Sequence, residues 1–420
     1  MSARLLSDPL PLRRALELPQ YREDVILPWV YGRATLTPVA LDATALEYLV
    51  ADHPIVGVTA VEVGGLAISG WQLTQALDST GHPIAKIRLT TAPKSGEAVA
   101  VSLIGRRHPQ TGAVIEHPAD IAEDLLRASG WAVDASAFEA LRDAFPGLAL
   151  GGVIAERMTV RAAVSALMDN LGAEWSASPL RAWLPDLMPD ALSTLTPAGV
   201  DDASAESTHD AIATRLVVSF AQDWAAGSAR ASLTIEAPQS VETFGPIEAD
   251  LSLPWVRTAR DALAIASARL QRLARPLWTF TVTAAPGSDW RPGDALMLAH
   301  HWVPPGAAMI TRITTTAERR TLTLARPAGP VPRVELARRG SLIDMAGADP
   351  LKITYRDGVA TFTILTELGD PLAGASVSLD GAQTRSTDRR GQVQFATTRG
   401  AHTLLVVASG YEPFEMEVVV

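Results

Sequence analysis

The stretch VILPWVYGRATLTPVALDATALEYLVADHPIVGVTAVEVGG, residues 25–65, sets the class of the fold. It breaks into short runs of β-branched or alternating apolar residues, such as DVILPWVYG, TLTPVAL, LEYLVA and GVTAVEVGG, separated by Gly, Pro, Asp and His. Repeated short strands with turn signals between them predict a barrel or sandwich rather than a helical domain. The paired glycines Gly64 and Gly65 predict a tight hairpin turn, because glycine reaches the positive φ angles such turns need. AKIRLTT and AVAVSLIG extend the pattern to about residue 105.

After Arg107 the period changes. HPADIAEDLLRASG reads as a capped helix, with Pro118 at its first position, Ile121, Leu125 and Leu126 on one face and Gly130 at its end. DASAFEALRDAFPG reads as a second short helix. In MTVRAAVSALMDNLGAEW, Thr159 is the expected cap, and Val160, Val164, Leu167, Met168 and Leu171 recur at helical spacing. Residues 185–209, rich in Pro, Ala, Ser, Thr and Asp, read as a linker or exposed loop. Strand patterns return in RLVVSFAQD and SARASLTIEA, pause for the helix TARDALAIASARLQRLARP, and resume through LWTFTVTAA and RPGDALML. Leu-Pro-Trp-Val occurs at residues 27–30 and again at 253–256, a short echo between the two β regions. From about residue 352 the turn dipeptides Asp357-Gly358 and Asp380-Gly381 punctuate a last set of strands. The expected fold is mainly β with a helical insert (α+β), in four parts. These are a first β unit at 1–108, the insert and linker at 109–210, a second β unit with one long helix at 211–346, and a small β-sandwich at 350–420.

Composition narrows the function. The chain has 420 residues, 47% hydrophobic and 20% charged, enough for several cores. Its formal net charge of -10 argues against coating nucleic acid, which needs a cationic surface. The absence of cysteine excludes disulfides, thiol catalysis and cysteine-ligated metals. The first 24 residues carry no signal-peptide pattern, and no apolar run is long enough to span a bilayer, so synthesis in the cytoplasm is expected. No nucleophile elbow, zinc-protease helix, Walker loop or dinucleotide fingerprint is present, and no catalytic, metal or cofactor site is expected. His300-His301 lacks further ligands at fixed spacing, and the carboxylate-rich DDASAESTHD reads as a solvated loop. Ten tryptophans against five tyrosines and eight phenylalanines point to packing at cores or interfaces. Trp29, Tyr31 and Trp255 lie in apolar strand contexts, whereas Trp290 and Trp302 stand beside Pro and Gly turns and suit exposed contact; Tyr411 completes the list of contact candidates.

Two resemblances follow from particular residues. GDPLAGASVSLDG at 369–381, then Thr387-Asp388 with Gly391-Gln-Val-Gln-Phe395, then Gly410-Tyr411-Glu-Pro413, resemble the carboxypeptidase-regulatory-like, transthyretin-type β-sandwich. That likeness speaks to fold, since such modules serve as spacers or binding domains on unrelated proteins. Residues 20–345 resemble the tail hub or baseplate proteins of tailed bacteriophages, through the 25–65 stretch, TGAVIEHPADIAEDLLRASG and the block from Arg215 to Arg326 ending in RPGDALML. This resemblance implies a structural virion protein at the tail tip. Two β units from each of three subunits would form a homotrimeric ring that leaves a channel for DNA. The implied partners are a distal tail protein, a tape measure and a tail fibre or tip protein, with the C-terminal sandwich as an outward appendage. Two alternatives remain at this point: a cell-surface glycan-binding protein using exposed tryptophans, and a cell-wall hydrolase with scattered acids.

Overall fold

The computed structural model describes residues 7–14, 25–42, 46–178, 180–185, 188–196, 200–209, 212–284, 289–301, 303–316, 319–336, 351–356, 358–365, 371–381, 383–408 and 414–419. The chain is mainly β, with eight sheets and a few helices among these residues. It divides into two compact units: residues 1–209, 222–228 and 276–328 form one, and 210–221, 229–275 and 329–420 the other.

In the first unit, strands of the opening stretch and of the residues up to Arg106 build two four-stranded sheets, while Trp29–Tyr31 pairs separately with Gly152–Ile154. One runs in the order Arg33–Leu36, Val99–Arg106, Ile55–Val63, Leu66–Ile68; the other runs Val39–Asp42, Glu47–Ala51, Pro83–Leu89, Trp71–Leu77. Alternation decides which side faces in. Along Val99–Arg106, Val99, Val101, Leu103 and Gly105 are buried and their neighbours are half-buried. These residues share a core with Val50, Ala85, Ile87 and Leu89 of the second sheet. The predicted hairpin is present: Val63 pairs with Leu66, and Gly64 and Gly65 between them have φ of 60° and 80°. Two positive φ angles are what a two-residue turn requires to follow the strand twist.

Two of the predicted helices begin and end close to where expected; DASAFEALRDAFPG forms a 3-10 turn and a short α-helix, and Pro238–Phe244 is a helix the sequence reading did not predict. Pro118–Ala128 starts with its proline in the first turn, and the side chain of His117 caps it by accepting the Ala119 N–H. Ile121, Leu125 and Leu126 are fully buried. Val160–Leu171 is capped by Thr159, whose hydroxyl accepts the Ala162 N–H at 3.1 Å, and ends on Gly172 at φ 65°. The five apolar residues predicted for its inner face are all buried.

The stretch 185–209 differs from its reading as a linker. It supplies both edges of a six-stranded sheet, ordered Ala191–Leu195, Ala295–Leu298, Gly306–Thr315, Arg320–Pro327, Leu277–Ala284, Val200–Thr208. The carboxylate-rich segment is therefore a nine-residue strand, antiparallel to Leu277–Ala284. Composition misled because only Ala203 of this strand is buried; Asp201 and Asp202 project to solvent, the usual protection of an exposed sheet edge.

In the second unit, a four-stranded sheet runs Glu248–Leu253, Arg215–Asp223, Ser228–Glu236, Glu335–Leu336, and the helix Ala259–Leu273 buries Ala262, Ile265, Ala266 and Leu270. The Leu-Pro-Trp-Val echo is not a local structural repeat. Trp29 begins a strand, whereas Leu253 ends one and its carbonyl accepts the Val256 N–H. Residues 351–419 form a three-stranded and a four-stranded sheet around a common core that includes Phe362, Phe395, Val377 and Leu404.

Candidate functional site

Of the six contact candidates, three are interior. Trp29 is 6% exposed, Tyr31 0% and Trp255 6%. Trp29 and Tyr31 instead lock a strand to the helix Pro118–Ala128. The Arg106 guanidinium lies over the Trp29 ring at 4.7 Å and its Nε is 3.0 Å from Asp124, which also accepts the Tyr31 hydroxyl at 2.7 Å. Burial, then the nearby Asp124 charge, pushes the Tyr31 phenol well above its ordinary range. Trp290 is half-buried, its Nε1 donating to Ser193 at 3.2 Å on the strand Ala191–Leu195. Trp302 and Tyr411 lie outside the described residues.

Around this strand the chain makes close backbone crossings that no sequence pattern flagged. Gly32, at φ 54°, donates to the Ile115 carbonyl at 3.0 Å and accepts from Gly105 at 2.6 Å. A Cβ at Gly32 would land on the Leu150 carbonyl oxygen, and one at Gly105 on the Val30 carbonyl oxygen. His53, wholly buried, accepts the Val30 N–H through Nε2 at 2.9 Å and donates from Nδ1 to the Pro54 carbonyl at 2.9 Å. Both bonds suit the neutral ring. Burial, assisted by the charge of Arg106, lowers its pKa to about 3. Arg13 reaches both Asp52 and, at 2.5 Å, Asp78, two carboxylates whose side chains are 1% and 2% exposed. Burial holds Asp52 above the usual carboxylate range despite Arg13. At Asp78 burial is outweighed by hydrogen bonds from Thr80, Arg13 and backbone N–H groups, which hold it well below that range.

These groups are structural: each is answered from within the chain. His300 and His301 stack at 4.6 Å just past a strand end, and no cluster of three or more His, Cys, Asp or Glu able to hold a metal exists among the described residues. An apolar hollow of about 380 Å³ opens among Pro28, Leu36, Val39 and Val153; its lining carries one ionisable side chain, Glu156. A lone carboxylate in such surroundings offers neither an acid–base pair nor a nucleophile with its base.

Among the described residues, the buried indole N–H groups of Trp131 and Trp183 have no hydrogen-bond partner. The other unpartnered features are at the surface. Most described edge strands carry charge, as Glu248–Leu253 and Val200–Thr208 do. Gln392–Ala396 lacks charge but is covered, its outward carbonyls at Gln394 and Ala396 accepting Arg385 and Gln383 side chains. Three edges differ. Leu66–Ile68 is uncharged, with Leu66 74% exposed. Trp71–Leu77 is uncharged, its last four residues are exposed, and Leu77 is 68% exposed; the strand is tied inward where Gln75 Oε1 accepts the Ile55 N–H at 3.0 Å. Ala191–Leu195 is also uncharged, with Leu192 65% exposed and Met188 and Met297 beside it each 38% exposed. Ala299 donates to the Leu195 carbonyl, so alternation turns the backbone of Thr194 to the open side. Such edges are ready to pair with another chain. Apart from the half-buried Trp290, sequence reading missed these edges; the available signal was the lack of any charge between Val63 and Leu77, which holds Leu66–Ile68 and Trp71–Leu77.

No protein-family model and no curated protein sequence matches the chain. Among solved structures, it is similar to a chain in the virion of a native gene transfer agent particle, with a TM-score of 0.51 at 17% identity over 76% of this chain and 90% of that one. The 43 kDa tail protein of prophage MuSo2 from Shewanella oneidensis aligns at a TM-score of 0.35 and 14% identity, over 75% of this chain and 92% of that one. A tail protein from Neisseria meningitidis MC58 aligns at 0.34 and 12%, over 71% and 96%. The gene transfer agent chain, matched along nearly its whole length, shares this chain's mainly β fold.

Proposed function

We propose that this chain is a structural component of the tail of a phage or phage-like particle, acting as a hub ring at the tail tip. The observation that carries the reading is the fold shared with a virion chain along 90% of that chain's length. Two further features support it. The buried polar groups around Gly32 and His53 serve packing rather than chemistry, and the described surface keeps three exposed uncharged edges, Leu66–Ile68, Trp71–Leu77 and Ala191–Leu195, available for other chains. On this reading the role is architectural, not catalytic. Copies of the chain form a homotrimeric ring with a channel for DNA, one face meeting the tube-side proteins and the other the distal tip or fibre. The 351–419 sandwich is the outward module that meets a neighbouring tail protein.

The test is incorporation. Particles from a host carrying the gene, purified and analysed by mass spectrometry and electron microscopy, should contain the chain in a few copies per particle at the tail tip. Deleting the gene should leave particles without a functional tail. Complete particles that lack the chain would sink the proposal.

A further inference from the structure

One edge of the 351–419 sandwich carries charge of the opposite sign to the chain as a whole. The chain holds 46 acidic against 36 basic residues, yet between Gly381 and Val407 four arginines stand with a single carboxylate, Asp388. The sheet formed by Leu351–Arg356, Val359–Ile364 and Gln392–Ala396 has no acid in any of its strands. Topology sets the arginines in a row. Arg389 and Arg390 stand in the turn that leads into Gln392–Ala396, Arg385 lies beside the middle of that strand, and Arg399 stands in the turn that follows it. Five residues of strand span about 17 Å, so no single small anion reaches both ends.

All four arginines are exposed, and none has an ion-pair partner among the described residues. Two are held in place with their charge unspent. The Arg385 guanidinium donates to the Gln394 carbonyl at 2.9 Å and lies 5.8 Å from the centre of the Phe395 ring, and Arg399 lies 5.4 Å from the centre of Tyr355. The acids nearest in sequence are already engaged. Asp388 accepts the backbone N–H groups of Arg390 and Gln392, and Asp380 accepts from His402 Nδ1 at 2.6 Å and from the Thr403 N–H at 2.8 Å.

We infer that this row binds a linear anionic glycan polymer, one carrying a phosphate at each repeat along a sugar or polyol backbone. The contact goes beyond the ring reading and does not rest on it; it adds to the sandwich a second partner besides its tail protein. The occupant follows from the chemistry of the edge. A guanidinium fork pairs with two oxygens of one phosphate, and a row of forks suits a chain of phosphates. Strand addition is closed off, because the Arg385 and Gln383 side chains cover the Gln394 and Ala396 carbonyls. A folded protein partner would need an apolar or aromatic anchor. Gln392, Gln394 and Thr398 are the exposed polar side chains among the arginines, and no large apolar one is exposed with them. Single-stranded nucleic acid would need open rings on which to stack its bases, whereas Phe395 is buried. Amides and a hydroxyl suit the hydroxyl groups of a sugar or polyol instead.

The experiment is binding of the purified full chain to fluorescently labelled poly(glycerol phosphate), read by anisotropy, with neutral dextran and a DNA duplex of equal phosphate number as comparisons. Wild type should bind the phosphate polymer, lose affinity as salt rises, ignore dextran and bind the duplex at least about tenfold more weakly. Arg389→Gln with Arg390→Gln should weaken binding by about fivefold, and replacing all four arginines by Gln by about thirtyfold. The side chains of Arg389 and Arg390 make no hydrogen bond or ion pair among the described residues, so the double variant should keep the wild-type thermal midpoint. Arg33→Gln, an exposed arginine of the other compact unit, should leave affinity unchanged. A wild-type chain that does not bind the phosphate polymer overturns the proposal, as does a double variant that binds as tightly as wild type. Equal binding of the DNA duplex overturns it too, since the edge would then attract any polyanion. The assay needs no particle, so its failure leaves the tail reading standing, and absence of the chain from particles would refute that reading without touching this one.

Discussion

The junction around Gly32, Gly105 and His53 and the edges at Trp71–Leu77 and Ala191–Leu195 belong to the same compact unit but are built on opposite terms. At the junction, backbones approach closely enough to exclude a Cβ, and buried polar atoms meet partners: Gly105 on Gly32, His53 on Val30 and Pro54, Arg13 on Asp52 and Asp78. At the edges, uncharged side chains stand in solvent and the Thr194 backbone faces outward. The first arrangement holds one chain in one shape, because an unanswered buried polar group is costly. The second is marked by a missing protection, and an unprotected edge is where another chain can bind.

Substitutions separate the two terms. Gly32→Ala forces a left-handed φ on alanine and drives its Cβ into the Leu150 carbonyl oxygen. The expected loss is on the order of 4 kcal/mol, read as a lower urea midpoint. Acid tests the same junction through His53. Its folded pKa, about 3, lies below the unfolded value near 6.5, so the unfolded chain takes up the proton first and stability falls as pH drops through that interval. Between about pH 6 and 5, where few carboxylates titrate, the slope should approach about 1.4 kcal/mol per pH unit. His53→Gln should flatten it; an unchanged slope would place the proton elsewhere. Arg13→Met leaves Asp52 and Asp78 buried without their cation, and should lower stability by about 3 kcal/mol in denaturant titrations. Smallest in stability is Leu192→Lys at the open edge, expected within about 0.5 kcal/mol of wild type. If it proved as damaging as Arg13→Met, the edge would be part of the chain's own core and the contrast would fail.

The two regions were unequally legible. The Gly64-Gly65 hairpin, the helix starts at Pro118 and Val160 and the inner face of Val160–Leu171 follow from local rules of turn, cap and period, which act within a few residues. Trp29 and Tyr31 were legible as apolar strand residues, but their partners Arg106 and Asp124 are far away in sequence. Val200–Thr208 was misread because an exposed edge strand and a polar loop share a composition; what separates them is the neighbour at Leu277–Ala284. The open edges were hardest of all, since openness is a statement about which strand does not lie alongside.

By itself, then, the sequence determined the mainly β class, the helical insert, the turn and cap positions and the absence of recognisable catalytic or metal-binding motifs, because each depends on residue type and short-range spacing. The tertiary structure alone decided which tryptophans are interior, which glycines mark crossings, and which strands end their sheets without charge or cover. Those properties depend on contacts between residues tens to hundreds of positions apart, and no local pattern records them.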